Sequence, residues 1–265
     1  EKMKVLKELW LSNNTIGDKG CEHLADALEE SGKELINLNL GYNNISEEGC
    51  KHLAPALAQM EGLKNLGLNR NIIGDEGCKH LAPALEERKG LEGLSLGWNN
   101  IGDEGCRHLA TALTKIEGLK ELYLYNNTIG EEGCRHLAPA LAKMKGLKKL
   151  SLDKNNIGTE GCRHLAPALE KIEGLKKLEL DGNNIGDEGC RHLTPALVEM
   201  KGLEVLYMTS NKIGDEGCRQ LAPLLWKMKG LERLWMFKNN IGEEGKKVMR
   251  DAWKKAGKQI SELII

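Results

Sequence analysis

A cysteine followed two residues later by a histidine occurs seven times in this chain, from Cys21 and His23 to Cys190 and His192. Thiolate and imidazole are favoured ligands of zinc, so the pattern invites a metal reading. Helical spacing opposes it, because residues two apart point roughly 200° apart around a helix axis and a buried thiol sends its imidazole outward. Successive histidines (His23, His52, His80, His108, His136, His164 and His192) would stand about 8–10 Å apart on packed helices, too far to share a metal with bonds of about 2 Å. A surface histidine ladder is expected, with no metal site and no cofactor. Acidic pairs such as Asp103-Glu104 and Glu131-Glu132 recur at one place in the pattern and read as helix starts, not as acid–base machinery. No nucleophile elbow and no Ser/His/Asp arrangement breaks the repetition. Catalysis needs one preorganised pocket, which near-identical units do not advertise, so enzyme activity is not expected.

The elements behind this spacing follow from the cysteines, at positions 21, 50, 78, 106, 134, 162, 190 and 218, one gap of 29 residues and then gaps of 28. One structural unit is copied nine times. Aligned on Cys78, it places Leu63, Leu66, Leu68, Asn71, Ile73, Gly77, Leu81 and Leu85 in the pattern LxxLxLxxNxIxxxGCxxLxxxL, identified as a leucine-rich repeat. The frame runs from Leu6 to Gly257, and the ninth copy carries Lys246 in place of cysteine. Residues 1–265 are therefore expected to form a single domain of nine repeats of 28–29 residues (6–257) with a C-terminal cap at about 246–265. In that cap Ile260, Leu263 and Ile265 repeat the leucine spacing and predict a tenth strand.

Within the type unit, Leu66-Gly67-Leu68 alternates as a short strand with one buried face. Asn71 and its equivalents at 14, 43, 99, 127, 155, 183, 211 and 239 are expected to form an internal ladder, since an amide side chain can satisfy both backbone donors and acceptors in an inward-turning loop. Asp75 is expected to cap orphan amides where a helix begins, and Gly90 to end that helix in a left-handed conformation. Pro83, repeated at 55, 139, 167, 195 and 223, predicts a kinked or shortened helix with its proline on the outer surface. Strands about 4.8 Å apart stacked against helices about 8–10 Å apart imply curvature. The expected fold class is an α/β solenoid, a horseshoe with a parallel sheet on the concave face and helices on the convex face.

A formal charge of -1, from 38 basic and 39 acidic residues, offers no global field to attract nucleic acid or an anionic membrane. No apolar run approaches the roughly 18 residues that span a bilayer, and the start lacks the pattern of a signal peptide. The equivalent cysteines are expected to be reduced, buried fillers on the stripe shared with Leu81 and Leu85, which implies a reducing, cytoplasmic location. Sequons at Asn13, Asn44 and Asn126 arise from the Asn-rich turn of the repeat. With only EKMKV ahead of the first repeat, the first strand edge is expected to be nearly bare. That suggests a piece of a longer receptor, or self-association through the edge.

Differences between copies separate scaffold from variable surface. The residue between the two strand leucines reads Trp10, Asn39, Gly67, Ser95, Tyr123, Ser151, Glu179, Tyr207 and Trp235. Two positions on it reads Ser12, Gly41, Asn69, Gly97, Tyr125, Asp153, Asp181, Thr209 and Phe237, and the next column reads Asn13, Tyr42, Arg70, Trp98, Asn126, Lys154, Gly182, Ser210 and Lys238. These columns hold eight of the ten aromatics, which on a solvent-facing sheet mark an interaction surface more than they serve stability. The expected ligand-binding residues are Trp10, Tyr42, Trp98, Tyr123, Tyr125, Asp153, Asp181, Tyr207, Trp235 and Phe237. Two clusters are expected, one of Trp98, Tyr123 and Tyr125 flanked by Asp153 and Asp181, the other of Tyr207, Trp235 and Phe237. Lys148, Lys149, Lys154, Lys176 and Lys177 form a mixed patch with the nearby acids.

The frame and the IGDEGCRHLAPAL consensus resemble the ribonuclease-inhibitor-like class of leucine-rich repeats, especially the repeat domains of NOD-like receptors. The resemblance implies a protein-recognition module binding a macromolecular ligand on its concave face, as in the sensing or regulatory part of such a receptor. The alternatives are a structural or engineered repeat scaffold without a natural ligand, and an inhibitor of an intracellular enzyme or a GTPase regulator. No GxxxxGK[ST] motif is present, so the nucleotide-binding switch of a complete NOD-like receptor is missing from this chain.

Overall fold

The computed structural model describes residues 6–265, so the EKMKV segment ahead of the first repeat lies outside the described residues. Two compact units make up the chain, residues 1–128 and 129–265. In the N-terminal unit, strands β1 (Glu8–Trp10), β2 (Asn37–Asn39), β3 (Asn65–Gly67), β4 (Gly93–Ser95) and β5 (Glu121–Tyr123) alternate with helices α1 (Gly17–Ser31), α2 (Glu47–Gln59), α3 (Gly74–Glu86) and α4 (Asp103–Leu113). The C-terminal unit comprises α5 (Glu131–Leu141), β6 (Lys149–Ser151), α6 (Gly158–Leu169), β7 (Lys177–Glu179), α7 (Gly186–Glu199), β8 (Val205–Tyr207), α8 (Asp215–Leu221), β9 (Arg233–Trp235), α9 (Glu243–Lys255) and β10 (Leu263–Ile264).

Each unit holds a parallel sheet in which every strand pairs with its counterpart one repeat away. Leu9, Leu38, Leu66, Leu94 and Leu122 are register partners in the first, and Leu150, Leu178, Leu206, Leu234 and Leu263 in the second. The predicted tenth strand is β10. The fold class is the α/β leucine-rich-repeat solenoid, as expected. Leu63, Leu66, Leu68, Ile73, Cys78, Leu81 and Leu85 are all at most 1% exposed, and each such leucine contributes about 2 kcal/mol by leaving water.

All eight cysteines are free and buried. The thiols of Cys21, Cys50, Cys134 and Cys162 pack against a helix-start glycine of the following repeat: a Cβ added to Gly77 would lie 3.4 Å from Cys50 Sγ, and one added to Gly189 3.3 Å from Cys162 Sγ. The asparagine ladder is present and internal. In the N-terminal unit Asn71 Oδ1 accepts the N–H groups of Asn43 (2.9 Å) and Ile45 (3.0 Å), while its Nδ2 donates to the carbonyls of Leu40 and Leu68. The C-terminal unit repeats this through Asn183 Oδ1, which accepts from Asn155 N, and Asn211 Oδ1, which accepts from Asn183 N. Asn14 is the exception: it is exposed, and its amide donates to Leu11 and Ser12 of its own repeat.

The caps differ from expectation. Asp75 lies inside the first turn of α3 and bonds sideways, so that its Oδ1 accepts from Gly102 N (2.7 Å) and Gly105 N (2.9 Å) at the start of α4. Asp18, Asp187 and Asp215 do the same for α2, α8 and α9. Aspartate thus caps the helix of the next repeat and not its own. This contact also sets the backbone ahead of that helix. After these four aspartates the loop residues Ser46, Gly102, Gly214 and Gly242 are extended, with φ of -100°, -103°, -105° and -79°. After Glu47, Glu131 and Thr159 the equivalent Gly74, Gly158 and Gly186 are left-handed, with φ of 62°, 61° and 66°. Their N–H groups then bond forward to the carbonyls of Asn99, Asn183 and Asn211.

Gly90 and its equivalents are not left-handed stops, since none has a positive φ. In several repeats that glycine permits close approach: a Cβ on Gly118 would lie 3.2 Å from the Lys89 carbonyl, and one on Gly230 would lie 2.7 Å from that of Lys201. The prolines are exposed, as expected. The predicted interruption occurs in the α8 repeat, where the helix ends at Leu221 and passes into a short 3₁₀ turn, Ala222–Leu224, that contains Pro223. In α2, α3, α5, α6 and α7 the helix continues past its proline. The lost hydrogen bond lies on the solvent side, where water can replace it.

Candidate functional site

Strands β1 to β9 are three residues long, so that from β2 to β9 each turns its middle leucine into the core and leaves its two flanking side chains on the open sheet face. In the N-terminal unit this face carries a hollow of about 150 Å³. Its floor is low because Gly67, Gly93 and Ser95 bring little or no side chain, and Trp10 and Tyr123 line it on either side. The two aromatics are oriented by carboxylates on their own strands, Trp10 Nε1 donating to Glu8 (3.1 Å) and the Tyr123 hydroxyl to Glu121 (2.9 Å). Glu8 also accepts from Asn37 Nδ2, and Asn65 Nδ2 donates to Asn37 Oδ1. The result is a trough with aromatic flanks and an amide-lined floor.

Beyond the strand ends, the third variable column adopts one backbone state in every repeat. Asn13, Tyr42, Arg70, Trp98, Asn126, Lys154, Gly182, Ser210 and Lys238 all have φ between 51° and 66°. Sequence reasoning missed this, because bulky residues rarely adopt that region. Their backbones are held by the next repeat, as in Tyr42 N to Asn69 O (2.8 Å) and Trp98 N to Tyr125 O (2.9 Å). The side chains are thereby presented outward, with Tyr42 51% and Trp98 42% exposed. Between them lies Arg70, whose guanidinium carbon is 5.6 Å from the Tyr42 ring centre and 4.6 Å from that of Trp98. Trp98, expected beside Tyr123 and Tyr125, also carries Arg70 over its ring. Tyr125 lies over Gly97, where a Cβ would come within 2.6 Å of its ring.

In the C-terminal unit Tyr207 and Trp235 stack with ring centres 4.4 Å apart and planes inclined by 15°. Lys177 lies over Tyr207 and Arg233 over Trp235, and both cations are paired, with Glu179 (2.5 Å) and Glu262 (2.8 Å). Phe237 is exposed beside this stack's strand, with Lys238 over its ring. Of the lysine patch, Lys176 pairs with Glu204 at 2.6 Å.

Asp153 and Asp181 serve the scaffold: Asp153 Oδ1 accepts from Asp181 N (2.8 Å), and Asp181 Oδ1 from Thr209 N (2.6 Å). Burial, with the neighbouring Glu179 charge second, pushes the Asp153 carboxyl up to about 7, and burial likewise raises Asp181. Burial also raises the thiols, those of Cys21 and Cys218 to about 12.

Among the described residues no three histidine, cysteine or acidic side chains converge as metal ligands, and no helix is long and apolar enough to cross a membrane. His23 is exposed and the six later histidines are half-buried.

A parallel sheet backed by helices, with a buried asparagine ladder and a variable outer face, defines a leucine-rich-repeat scaffold. A family model described as "Leucine Rich repeat" matches residues 2–25, 35–54, 91–110, 146–166, 175–193 and 203–222. The chain is a leucine-rich repeat protein. No curated protein matches it.

Proposed function

We propose that the chain is a protein-recognition module that binds a partner polypeptide on the open face of its sheet and the adjoining loop column. The supporting observation is the placement of its aromatics: eight of the ten stand in the variable columns, while the helices repeat a nearly constant sequence. Trp, Tyr and Arg are the side chains that most often anchor protein interfaces, and Trp10, Tyr42 and Trp98 keep large apolar areas in solvent that folding alone would cover. Within this reading the nearest functional analogy is the ligand-sensing or regulatory domain of a NOD-like receptor, in a reducing cytoplasmic setting suited to eight free thiols.

The test compares capture of proteins from a reducing extract by the native chain, by a variant carrying Trp98→Ala, Tyr123→Ala, Tyr125→Ala and Trp235→Ala, and by Trp226→Ala. Trp226 is 59% exposed on the helix side and controls for nonspecific apolar capture. A partner held by the native chain and by Trp226→Ala but lost by the folded quadruple variant supports the reading. Equal capture by all three overturns it and favours a scaffold whose sheet face is idle. A captured enzyme whose turnover changes on binding would identify a regulator.

A further inference from the structure

We propose that Arg70 is a carboxylate anchor, which commits the partner to an acidic peptide segment whose Asp or Glu side chain docks between Tyr42 and Trp98. This rests on the recognition reading above and names the chemistry of its partner. Three features carry it.

The first is pairing. Among the described residues Arg107, Arg135, Arg163, Arg191, Arg219 and Arg233 each pair with a glutamate, and buried Arg88 donates to the Ala58 carbonyl. Arg70 is exposed on the recognition side and has no acidic partner among the described residues, where its contacts are the two aromatic rings. Arg250, on α9 and near Glu243, has no ion pair and no ring contact among the described residues, which makes it the natural control.

The second is preorganisation. The guanidinium sits over both rings, its carbon 4.6 Å from the centre of Trp98 and 5.6 Å from that of Tyr42, and the in-plane N–H donors of an arginine match a carboxylate in bidentate geometry. The mount is stiff as well, because Tyr42, Arg70 and Trp98 are all left-handed with φ of 63°, 57° and 58°. Their N–H groups are bonded to the carbonyls of Asn69, Gly97 and Tyr125 at 2.8, 2.7 and 2.9 Å. The backbone that carries the three side chains therefore needs no reordering on binding.

The third is the isolation of the charge. The other members of the two loop columns in this unit (Ser12, Gly41, Asn69, Gly97 and Tyr125, with Asn13, Tyr42, Trp98 and Asn126) are all uncharged. A polyanion such as nucleic acid is held by many cations at once. One guanidinium between two rings suits a single carboxylate with apolar neighbours on a peptide.

The test is selection of a phage-displayed library of random linear peptides on the native chain, on Arg70→Gln, on Arg70→Glu and on Arg250→Gln, with folding of each checked by circular dichroism. The native chain and Arg250→Gln should enrich peptides with an Asp or Glu at a fixed position. Synthetic versions of those peptides should bind Arg70→Gln about tenfold or more weakly, and Arg70→Glu should select Lys or Arg at that position instead. Peptides enriched on the native chain without a fixed acid, or binding Arg70→Gln equally well, would overturn the anchor and leave the recognition reading standing. No enrichment on the native chain would overturn both.

Discussion

Side chains that look alike in the repeat do different work according to what the neighbouring copy offers. Asn99 accepts from the N–H groups of Asn71 and Ile73 and donates to the Leu68 and Leu96 carbonyls, all buried. Asn99→Ala strands those groups and should cost about 2–4 kcal/mol in urea unfolding, whereas exposed Asn14→Ala should cost less than about 1. Near-equal losses would mean that water replaces the ladder. Asp153 supplies a pH-dependent term. Its carboxyl is raised to about 7 by burial and then by Glu179, while in the unfolded chain it titrates near the ordinary value. Its stabilising contribution is therefore fully present below about pH 4 and is lost as pH rises through about 7. Asp153→Asn should exceed the native chain in stability by about 2–4 kcal/mol at about pH 8 and lose that advantage by about pH 4. A difference independent of pH would rule out this titration. The ladder was legible because one residue type recurs wherever a loop must turn inward. The Arg70 clamp was not, because its left-handed backbone is imposed by the next repeat and bears no relation to residue type at 42, 70 or 98, although an arginine between two aromatics one repeat away on either side was a visible hint.

At the scale of the element, strands and helices followed from periodicity, but their ends did not, because the groups that cap them lie one repeat away. The loop column beginning Gly17, Ser46, Gly74 and Gly102 shows how this works. Its one non-glycine, Ser46, follows Asp18, whose carboxylate holds it extended. Gly74 follows Glu47, has φ of 62°, and would meet nothing within 4 Å if given a Cβ, so its penalty for a side chain is purely conformational. Gly74→Ala should cost about 1–2 kcal/mol. Adding Glu47→Asp should recover much of that loss by drawing residue 74 into the extended, aspartate-capped state. Additive costs in that double-mutant cycle would show that the acid does not select the loop. The helix-start glycine next to each cysteine answers to packing instead. A methyl at Gly77 would sit 2.5 Å from Ile73 Cγ2 and 3.4 Å from Cys50 Sγ. Gly77→Ala should therefore destabilise by about 1–3 kcal/mol despite alanine's better helix propensity, and a gain in thermal midpoint would show that the thiol and isoleucine can yield.

Over the whole chain the fold class was readable from one spacing, because a unit that cannot bury its leucines alone must stack on copies of itself. The cysteines make that stacking measurable in each unit separately: Cys21, Cys50, Cys78 and Cys106 lie in the unit ending at Thr128, and Cys134, Cys162, Cys190 and Cys218 in the unit beginning at Ile129. All are buried. For Cys21, Cys50, Cys78, Cys162, Cys190 and Cys218, burial also raises the pKa and so disfavours the thiolate, the reactive form. Alkylation at neutral pH must then wait for a repeat to open, and its rate reports local stability rather than thiol chemistry. The native protein should take up a small fraction of one equivalent of iodoacetamide on a timescale that labels all eight thiols in denaturant. At intermediate denaturant, peptide mass mapping should find the four labels of a unit rising together, because stacked repeats bury their cores against one another. Prompt labelling of one thiol in the native chain would place that cysteine at the surface and contradict its role as core filler, and labels appearing singly within a unit would show that its repeats open independently.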